Sequence, residues 1–205
     1  MINLSTFCKA AALLVLTTGL GAQAQDLCAT EAQARQIAAF YADQPGTLPV
    51  MAARRLQLPE SVVASGLGEA WSASAPGSAF GEVWSALAGI EQANFLIMKG
   101  QNVFEILSGV SAGAPSTRSD FFNIKYENPV RGHLRPDLYS AIYAVAIPGK
   151  DDAVARGVLF YDLEGALVFG VFVSGESLEP SPDVIEQFDA AMALVRTKPS
   201  VCAAP

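Results

Sequence analysis

Histidine is almost absent from this chain, because His133 is the only one in 205 residues. A Ser-His-Asp triad would have to use it. The one G-x-S-x-G match, GVSAG at residues 109–113, lies in a stretch predicted as a loop, whereas a nucleophile elbow needs a strand-to-helix turn. Zinc sites need three or four close ligands, and this chain has a single histidine. Phosphate-loop and dinucleotide-binding motifs are absent, because the glycine-containing segments do not lie between a predicted strand and a predicted helix. These absences argue against triad hydrolysis, zinc chemistry and nucleotide binding.

Lysine and arginine are also scarce, with 13 of them against 20 aspartates and glutamates and a formal net charge of −7. Nucleic acid binds through basic groups and is therefore not an expected partner. The segment TLPVMAARRLQLPESVVASGL does suggest a helix-turn-helix. Its second helix, however, carries no lysine, arginine, asparagine or glutamine that could reach base edges. We interpret these helices as a structural cap.

Long apolar runs are missing as well, since a membrane helix needs about 20 such residues. The short run Ala10–Leu16 follows a segment with one lysine and precedes Ala22-Gln23-Ala24. This pattern predicts a secretory signal peptide over residues 1–24, cleaved before Gln25. We expect the mature chain, residues 25–205, to be a single periplasmic or secreted domain without stable membrane insertion.

Cysteine is rare too. Cys8 falls in the predicted signal peptide, which leaves Cys28 and Cys202 near the two ends of the mature chain. In an oxidising compartment these two are expected to form a disulfide. Closing so long a loop adds on the order of 5 kcal/mol in the chain-entropy model. The alternative is two free thiols on loose termini.

Helical patterns occupy the two ends of the mature chain, and strand patterns occupy its middle. Thr30 and Gln33 form a capping-box pattern, and Ser181 followed by Pro182 starts the last helix. We predict helices at about 30–42, 48–56, 59–64, 79–87 and 182–197. We predict strands at about 94–98, 103–107, 121–127, 131–135, 138–147, 156–161 and 166–174. This order predicts an α+β fold. It has an antiparallel β-sheet of about seven or more strands (about 94–174), an N-terminal helical cap (about 30–88) and a C-terminal helix.

The segment FFNIKYENPVRGHLRPDLYSAIY, residues 121–143, contains His133 and three of the five tyrosines. In an extended chain, Arg131, His133 and Arg135 leave one face at intervals of roughly 6 to 7 Å. Nearby positive charge favours the neutral imidazole, which is the form that ligates metals. The arrangement suits an anionic, metal-bearing ligand. The alternative is a surface or hydrogen-bonded structural histidine.

The next strand predicts an aromatic wall. In a regular strand Tyr139 and Tyr143 point to one face, where a flat apolar molecule could lie. Haem suits such a site, because one axial side chain holds its iron, arginines meet its propionates and an apolar wall takes its porphyrin. Tyr126, Tyr139 and Tyr143 are alternative iron ligands as phenolates, although each is more often a core or rim aromatic.

Five segments resemble the ChuX/HutX type of haem-utilisation carrier, which is similar to half of the larger HemS-type haem proteins. They are GTLPVMAARRLQLPESVV, FGEVWSAL, NFLIMKGQNVFEI, FFNIKYENPVRGHL and GVLFYDLEGALVFGVFV, and together they span about residues 46–174. The resemblance implies a HemS/ChuX-like antiparallel sheet with helices at its ends, a homodimer, and haem bound in a cleft near the subunit interface.

The resemblance also assigns residues by position. His133, in R-G-H-L, stands at a family histidine implicated in haem ligation, and Lys99 stands where a second family histidine falls. Lysine is a far less common iron ligand, so His133 or a tyrosine is the better candidate. Family carriers are cytosolic, whereas this chain has a predicted signal peptide.

Three functions follow as hypotheses. The first is an exported haem carrier or storage protein without turnover, with His133 on the iron and Arg131 and Arg135 near the propionates. Its expected partners are haem itself and proteins that deliver or take up haem. The second is a non-enzymatic binding module for another apolar ligand or a protein. The third, a haem-degrading enzyme, is less expected because the sequence shows no redox centre.

Overall fold

The computed structural model describes residues 27–202, except 101, 152 and 174–179, so the predicted signal peptide lies outside the described residues. The helices in this part are α1 Glu31–Asp43, α2 Pro49–Leu56, α3 Glu60–Ser65, α4 Phe80–Leu87 and α5 Pro182–Arg196. The strands are β1 Ser72–Pro76, β2 Ala93–Lys99, β3 Asn102–Ser108, β4 Gly113–Pro115, β5 Phe122–Ile124, β6 Gly132–Leu134, β7 Tyr139–Pro148, β8 Val154–Asp162 and β9 Leu167–Val173. Short 3₁₀ turns occupy Gly77–Ala79 and Pro136–Leu138.

The strands form a large sheet and a small sheet, both antiparallel. The large sheet has six strands in the order β1-β7-β8-β9-β2-β3, and the small sheet has three in the order β4-β5-β6. Helices precede and follow this block, so the predicted α+β class is confirmed. Among the described residues, no helix has the length and apolar character needed to cross a bilayer.

Both faces of the large sheet are covered, as the apolar runs GVLFY and ALVFGVFV predict. On one face, α1–α3 bury a cluster that includes Ile37, Val63 and Leu159. On the other face, α4, α5 and the small sheet enclose a cluster that includes Phe80 and Phe188. The small sheet is therefore fixed to the core by its inner face only.

The predicted helix starts are confirmed in atomic detail. Thr30 Oγ1 accepts a hydrogen bond from the Gln33 N–H, and the Gln33 side chain accepts one from the Thr30 N–H. The Ser181 side chain likewise accepts from the Val184 N–H at the start of α5. These bonds satisfy donors that the first turn of a helix leaves unpaired.

The sequence prediction misses two strands, β1 and β4. The sequence of β1 is SASAP, which has none of the β-branched or aromatic residues that favour strands. It forms because it pairs with β7, where Ser74 lies opposite Tyr143. In the same way β4, inside a stretch predicted as loop, pairs with β5. Pairing in the folded chain overrides weak local propensity at both places.

A β-bulge in β7 changes the predicted aromatic face. The register with β8 shifts between Tyr139 and Ala141, and such a shift moves side chains to the other face of a sheet. Tyr143 joins the cluster beneath α1–α3, whereas Tyr139 joins the cluster around Phe80. The prediction that Tyr139 and Tyr143 share one face is therefore wrong.

The Cys28–Cys202 disulfide joins residues at the two ends of the described part of the chain, so the predicted pairing is confirmed. It links the residues before α1 to the segment after α5. The Val201 N–H also donates a 3.0 Å hydrogen bond to Ser74 Oγ in β1. The C-terminal segment is thus held at the β1 edge of the large sheet by a covalent bond and by a hydrogen bond.

Candidate functional site

His133 lies on the outer face of the small sheet. In the pairing of β5 with β6, Asn123 stands opposite His133. The neighbouring Phe122 is buried against Phe80, with 5.0 Å between the ring centroids. Because alternate residues of a strand point to opposite faces, Asn123 and His133 point outward. The imidazole is exposed to solvent.

The side-chain amide of Asn123 decides which imidazole nitrogen carries the proton. His133 Nδ1 lies 2.7 Å from Asn123 Oδ1. A carbonyl oxygen only accepts hydrogen bonds, so Nδ1 is protonated and donates. In the neutral ring Nε2 then keeps its lone pair and is available to a metal. The same hydrogen bond fixes the orientation of the ring.

Gly132 sets the direction of the backbone just before the histidine. Its φ is +146°, a value that residues with a Cβ rarely adopt. A Cβ built at Gly132 would meet no atom within 4 Å, so the requirement for glycine is one of backbone conformation. The R-G-H-L motif therefore uses its glycine to aim the imidazole.

Phe121 joins His133 to a cavity. Its ring meets the imidazole edge to face with 5.8 Å between centroids, and 40% of its surface is exposed. It also lines a cavity of about 530 Å³, which is in the usual range for small-molecule sites. We call this the aromatic cavity. Its lining residues are Gly77, Ser78, Phe80, Gly81, Pro115, Ser119, Asp120, Phe121, Phe122, Pro136, Asp137 and Tyr139. His133 stands beside the cavity and is not part of its lining.

Arg135 is held by two aspartates at the exposed side of the aromatic cavity. Its Nε donates to Asp137 Oδ1 at 2.8 Å and its Nη2 donates to Asp137 Oδ2 at 2.6 Å. Asp120 Oδ2 lies 3.8 Å from the same Nη2. The hydrogen bonds from Arg135 lower the pKa of the Asp137 carboxyl. The positive charge of Arg135 is therefore already paired with carboxylates in this structure.

Arg131 has a different environment. None of the ion pairs among the described residues includes it. Its guanidinium carbon lies 5.2 Å from the ring centroid of Tyr126, which is a cation–π distance, and Tyr126 is 70% exposed. The neighbouring Lys125 pairs with Glu127 at 3.7 Å. Within the described part of the chain, Arg131 is thus the guanidinium beside His133 that no carboxylate neutralises.

The family model for haem utilisation, ChuX/HutX, matches residues 73–191, which is more than half of the chain. This chain belongs to the ChuX/HutX family. The predicted family is therefore confirmed. No curated protein matches the sequence.

Solved structures show the same fold. Protein AGR_C_4470 from Agrobacterium tumefaciens has a TM-score of 0.66 at 22% identity, over 80% of this chain and 92% of that chain. The heme-binding protein ChuX has a TM-score of 0.64 at 19% identity, over 80% of this chain and 97% of that chain. ChuS, described as an E. coli heme oxygenase, has a TM-score of 0.60 at 13% identity, over 83% of this chain and 50% of that chain. At these identities the likeness supports the fold alone.

In this ChuX/HutX member, the two tyrosines predicted as alternative ligands on β7 are buried. Burial raises the pKa of Tyr139 to about 12 and that of Tyr143 to about 12, so both phenols stay protonated at neutral pH. Tyr143 Oη lies 3.2 Å from Cys202 Sγ. Cys202 belongs to the C-terminal segment at the β1 edge of the large sheet, so this phenol does not face the small sheet. Tyr139 lines the aromatic cavity. Tyr126 alone among the three is exposed beside the histidine strand.

Lys99, which is predicted to occupy the position of a second family histidine, lies at the exposed end of β2 in the large sheet. His133 belongs to the small sheet. Among the described residues, the His133 side chain bonds to Asn123 and no ion pair includes Lys99. One copy of the chain therefore does not join these two positions through a direct polar contact.

The described residues contain no group of three or more His, Cys, Asp or Glu side chains that could hold a bare metal ion. A single imidazole does suit an iron that arrives already bound in a porphyrin. Sequence reasoning missed Asn123, Phe121 and Asp137 as members of this site. Alternation with Phe122 and Ile124 places Asn123 on the outer face, but only the β5–β6 register brings it to His133.

Proposed function

We propose that this protein is an exported haem-binding carrier, with Nε2 of His133 as the iron ligand. The observation that supports this most directly is the 2.7 Å hydrogen bond from Nδ1 to Asn123, since it leaves the Nε2 lone pair unused on an exposed face. Membership of the ChuX/HutX haem-utilisation family supports haem as the cargo.

The surroundings of His133 fit haem in two further respects. Haem needs apolar contacts for the porphyrin and cations near the propionates. The exposed ring of Phe121 supplies an apolar surface in contact with the imidazole. Arg131 supplies a guanidinium that takes part in no ion pair among the described residues. We therefore assign the propionates to Arg131 and not to Arg135.

We propose binding without turnover. The partner of Nδ1 is a neutral amide, which raises the basicity of a ligating imidazole less than a carboxylate would. The imidazole is also exposed, so one copy of the chain does not enclose a bound ligand in the way that protects reactive intermediates from water. The rival is haem degradation. Exposure of the hemin complex to a reductant and oxygen distinguishes the two, because an enzyme would yield a bilin-type product and a carrier would not.

A second candidate is a binding module for another apolar ligand or a protein. Two observations favour it. His133 is outside the lining of the aromatic cavity, and on the edge strand β3 the residues Phe104 and Leu107 are 52% and 53% exposed. The same edge supports the homodimer in our proposal. Native mass spectrometry of protein from its own host tests both points. The carrier hypothesis expects haem on a dimer, whereas a co-purified lipid or peptide would favour the second candidate.

Export is supported by the disulfide, because such bonds persist in oxidising compartments and are rare in the cytosol. The mass of protein recovered from its own host tests this part of the proposal. We expect a chain that begins at Gln25 and is lighter by the two hydrogen atoms that are lost when two thiols are oxidised to a disulfide. A full-length chain recovered with free thiols would contradict export.

Replacing Asn123 by alanine is expected to weaken hemin binding about tenfold, the effect usual for removing the partner of a metal-binding histidine. The change deletes the acceptor that fixes the ring and its Nδ1–H tautomer. A hemin titration followed at the Soret band measures the affinity. Nitrogen NMR of the ligand-free protein, labelled at its one histidine, measures the tautomer.

Asn102→Ala is the matched control, because it removes an exposed asparagine in the β2–β3 hairpin. We expect this control to leave both readouts unchanged. If Asn123→Ala kept the wild-type affinity and a pure Nδ1–H tautomer, Asn123 would have no role in presenting the imidazole.

A further inference from the structure

We propose that Asp137, assisted by Asp120, makes this site selective for iron tetrapyrroles whose carboxylates lie along one edge only. The inference rests on the proposed function and adds to it a substrate specificity. It concerns the flank of His133 that carries Arg135 and the aromatic cavity. Neither the family match nor the likeness to solved structures assigns a role to these aspartates.

The two flanks of His133 differ in charge. On one flank, Arg131 takes part in no ion pair among the described residues, and the neighbouring Lys125 and Glu127 neutralise each other. On the other flank, one guanidinium faces two carboxylates, since Arg135 contacts both Asp137 and Asp120. Counted over these groups alone, the first flank is positive by one charge and the second is negative by one charge.

The negative flank is also the apolar one. Asp120 and Asp137 line the aromatic cavity together with Phe80, Phe121 and Phe122. Phe80 and Phe122 are buried, whereas the side chains of Asp120 and Asp137 are 77% and 42% exposed. The cavity therefore has an aromatic interior and an acidic entrance. An uncharged apolar group can enter it, whereas a carboxylate meets like charge at the entrance.

The chemistry of haem matches this polarity. Haem carries both propionates along one edge and uncharged vinyl groups on the opposite side. With its propionates toward Arg131, its vinyl side faces Phe121 and the aromatic cavity. Iron coproporphyrin III has propionates in place of the vinyl groups. Its second pair of carboxylates would therefore face Asp137 and Asp120.

Asp137 is suited to this role because its charge persists. The hydrogen bonds from Arg135 lower the pKa of the Asp137 carboxyl. The carboxylate therefore stays ionised at neutral pH. The bidentate geometry also prevents Arg135 from turning to a ligand carboxylate without breaking two hydrogen bonds. Asp137 thus both repels a second set of propionates and withholds the cation that would accept them.

The test is a pair of Soret titrations, with hemin and with iron coproporphyrin III, on the mature wild-type protein and on Asp137→Asn. The wild type is expected to prefer hemin. Asp137→Asn is expected to raise the affinity for iron coproporphyrin III about tenfold relative to hemin, since it removes one like charge and releases Arg135. Asp120→Asn is expected to act in the same direction with a smaller effect, because Asp120 lies farther from Arg135 at 3.8 Å.

Asp189→Asn is the matched control. Asp189 pairs with Arg156 at 3.0 Å and is 53% exposed, so this variant removes one charge from a comparable ion pair elsewhere. The control is expected to leave the preference ratio unchanged. The proposal is overturned if wild type binds both compounds equally, or if Asp137→Asn and Asp189→Asn shift the ratio alike. It is also overturned if Asp137→Asn lowers thermal stability but leaves the preference ratio unchanged. The Arg135–Asp137 ion pair would then only stabilise the 3₁₀ turn Pro136–Leu138. Absence of hemin binding to wild type would instead remove the proposed function, and this specificity with it.

Discussion

Replacing both Cys28 and Cys202 by serine is expected to lower the free energy of unfolding by up to about 5 kcal/mol in the chain-entropy model. The two cysteines are 174 positions apart, so the disulfide closes nearly the whole mature chain into one loop. Such a loop removes much of the conformational freedom of the unfolded state. This loss is comparable to the whole stability of many domains.

Chemical denaturation of the mature protein, with and without reductant, measures the effect. The wild type in reductant is expected to match the serine variant, whereas the variant itself is expected to be insensitive to reductant. The disulfide is expected to affect stability but not hemin affinity, because it lies at the β1 edge of the large sheet and not in the small sheet. Equal stability of wild type and variant would show that the link does not constrain the unfolded chain.

Replacing His133 by alanine is expected to weaken hemin binding by at least about 100-fold, more than the loss of a supporting residue usually costs. The variant removes the chain's one imidazole. The buried phenols on β7 cannot substitute for it, because their raised pKa keeps them protonated. Added imidazole is expected to restore a wild-type Soret band, since it can occupy the space left by the side chain.

Arg35→Ala is the matched control for this prediction. Arg35 lies in α1 and pairs with Glu31 on the surface, so its loss removes an exposed cation on the face of the large sheet that is opposite the small sheet. We expect this variant to bind hemin within about twofold of wild type, in keeping with the small energies of exposed ion pairs. A His133→Ala protein with unchanged affinity and spectrum would remove the histidine from the site.

Much of the fold is predictable because its signals are local. The capping box of α1, the proline-led start of α5 and the apolar runs of β8 and β9 each depend on neighbouring residues, and each is confirmed. The strands β1 and β4 are different, because short segments of small residues become strands only when another strand offers hydrogen bonds. Nothing in SASAP reveals that β7 will be its partner.

The site is less predictable than the fold, because its contacts depend on register. A period of two places Arg131, His133 and Arg135 together but does not reveal what opposes them. The opposing β5 brings Asn123 to the imidazole, and the 3₁₀ turn Pro136–Leu138 brings Asp137 back to Arg135. A single bulge after Tyr139 then removes the expected aromatic wall.

The most direct measurement of the central claim uses the fact that the sequence contains one histidine. Mature protein is produced with ¹⁵N-histidine and a histidine-free tag, loaded with ferric hemin, and measured by electron–nuclear double resonance. If Nε2 of His133 binds the iron, the spectrum contains a strong ¹⁵N coupling that is absent from His133→Ala. A hemin complex that shows only porphyrin nitrogen couplings would contradict the account.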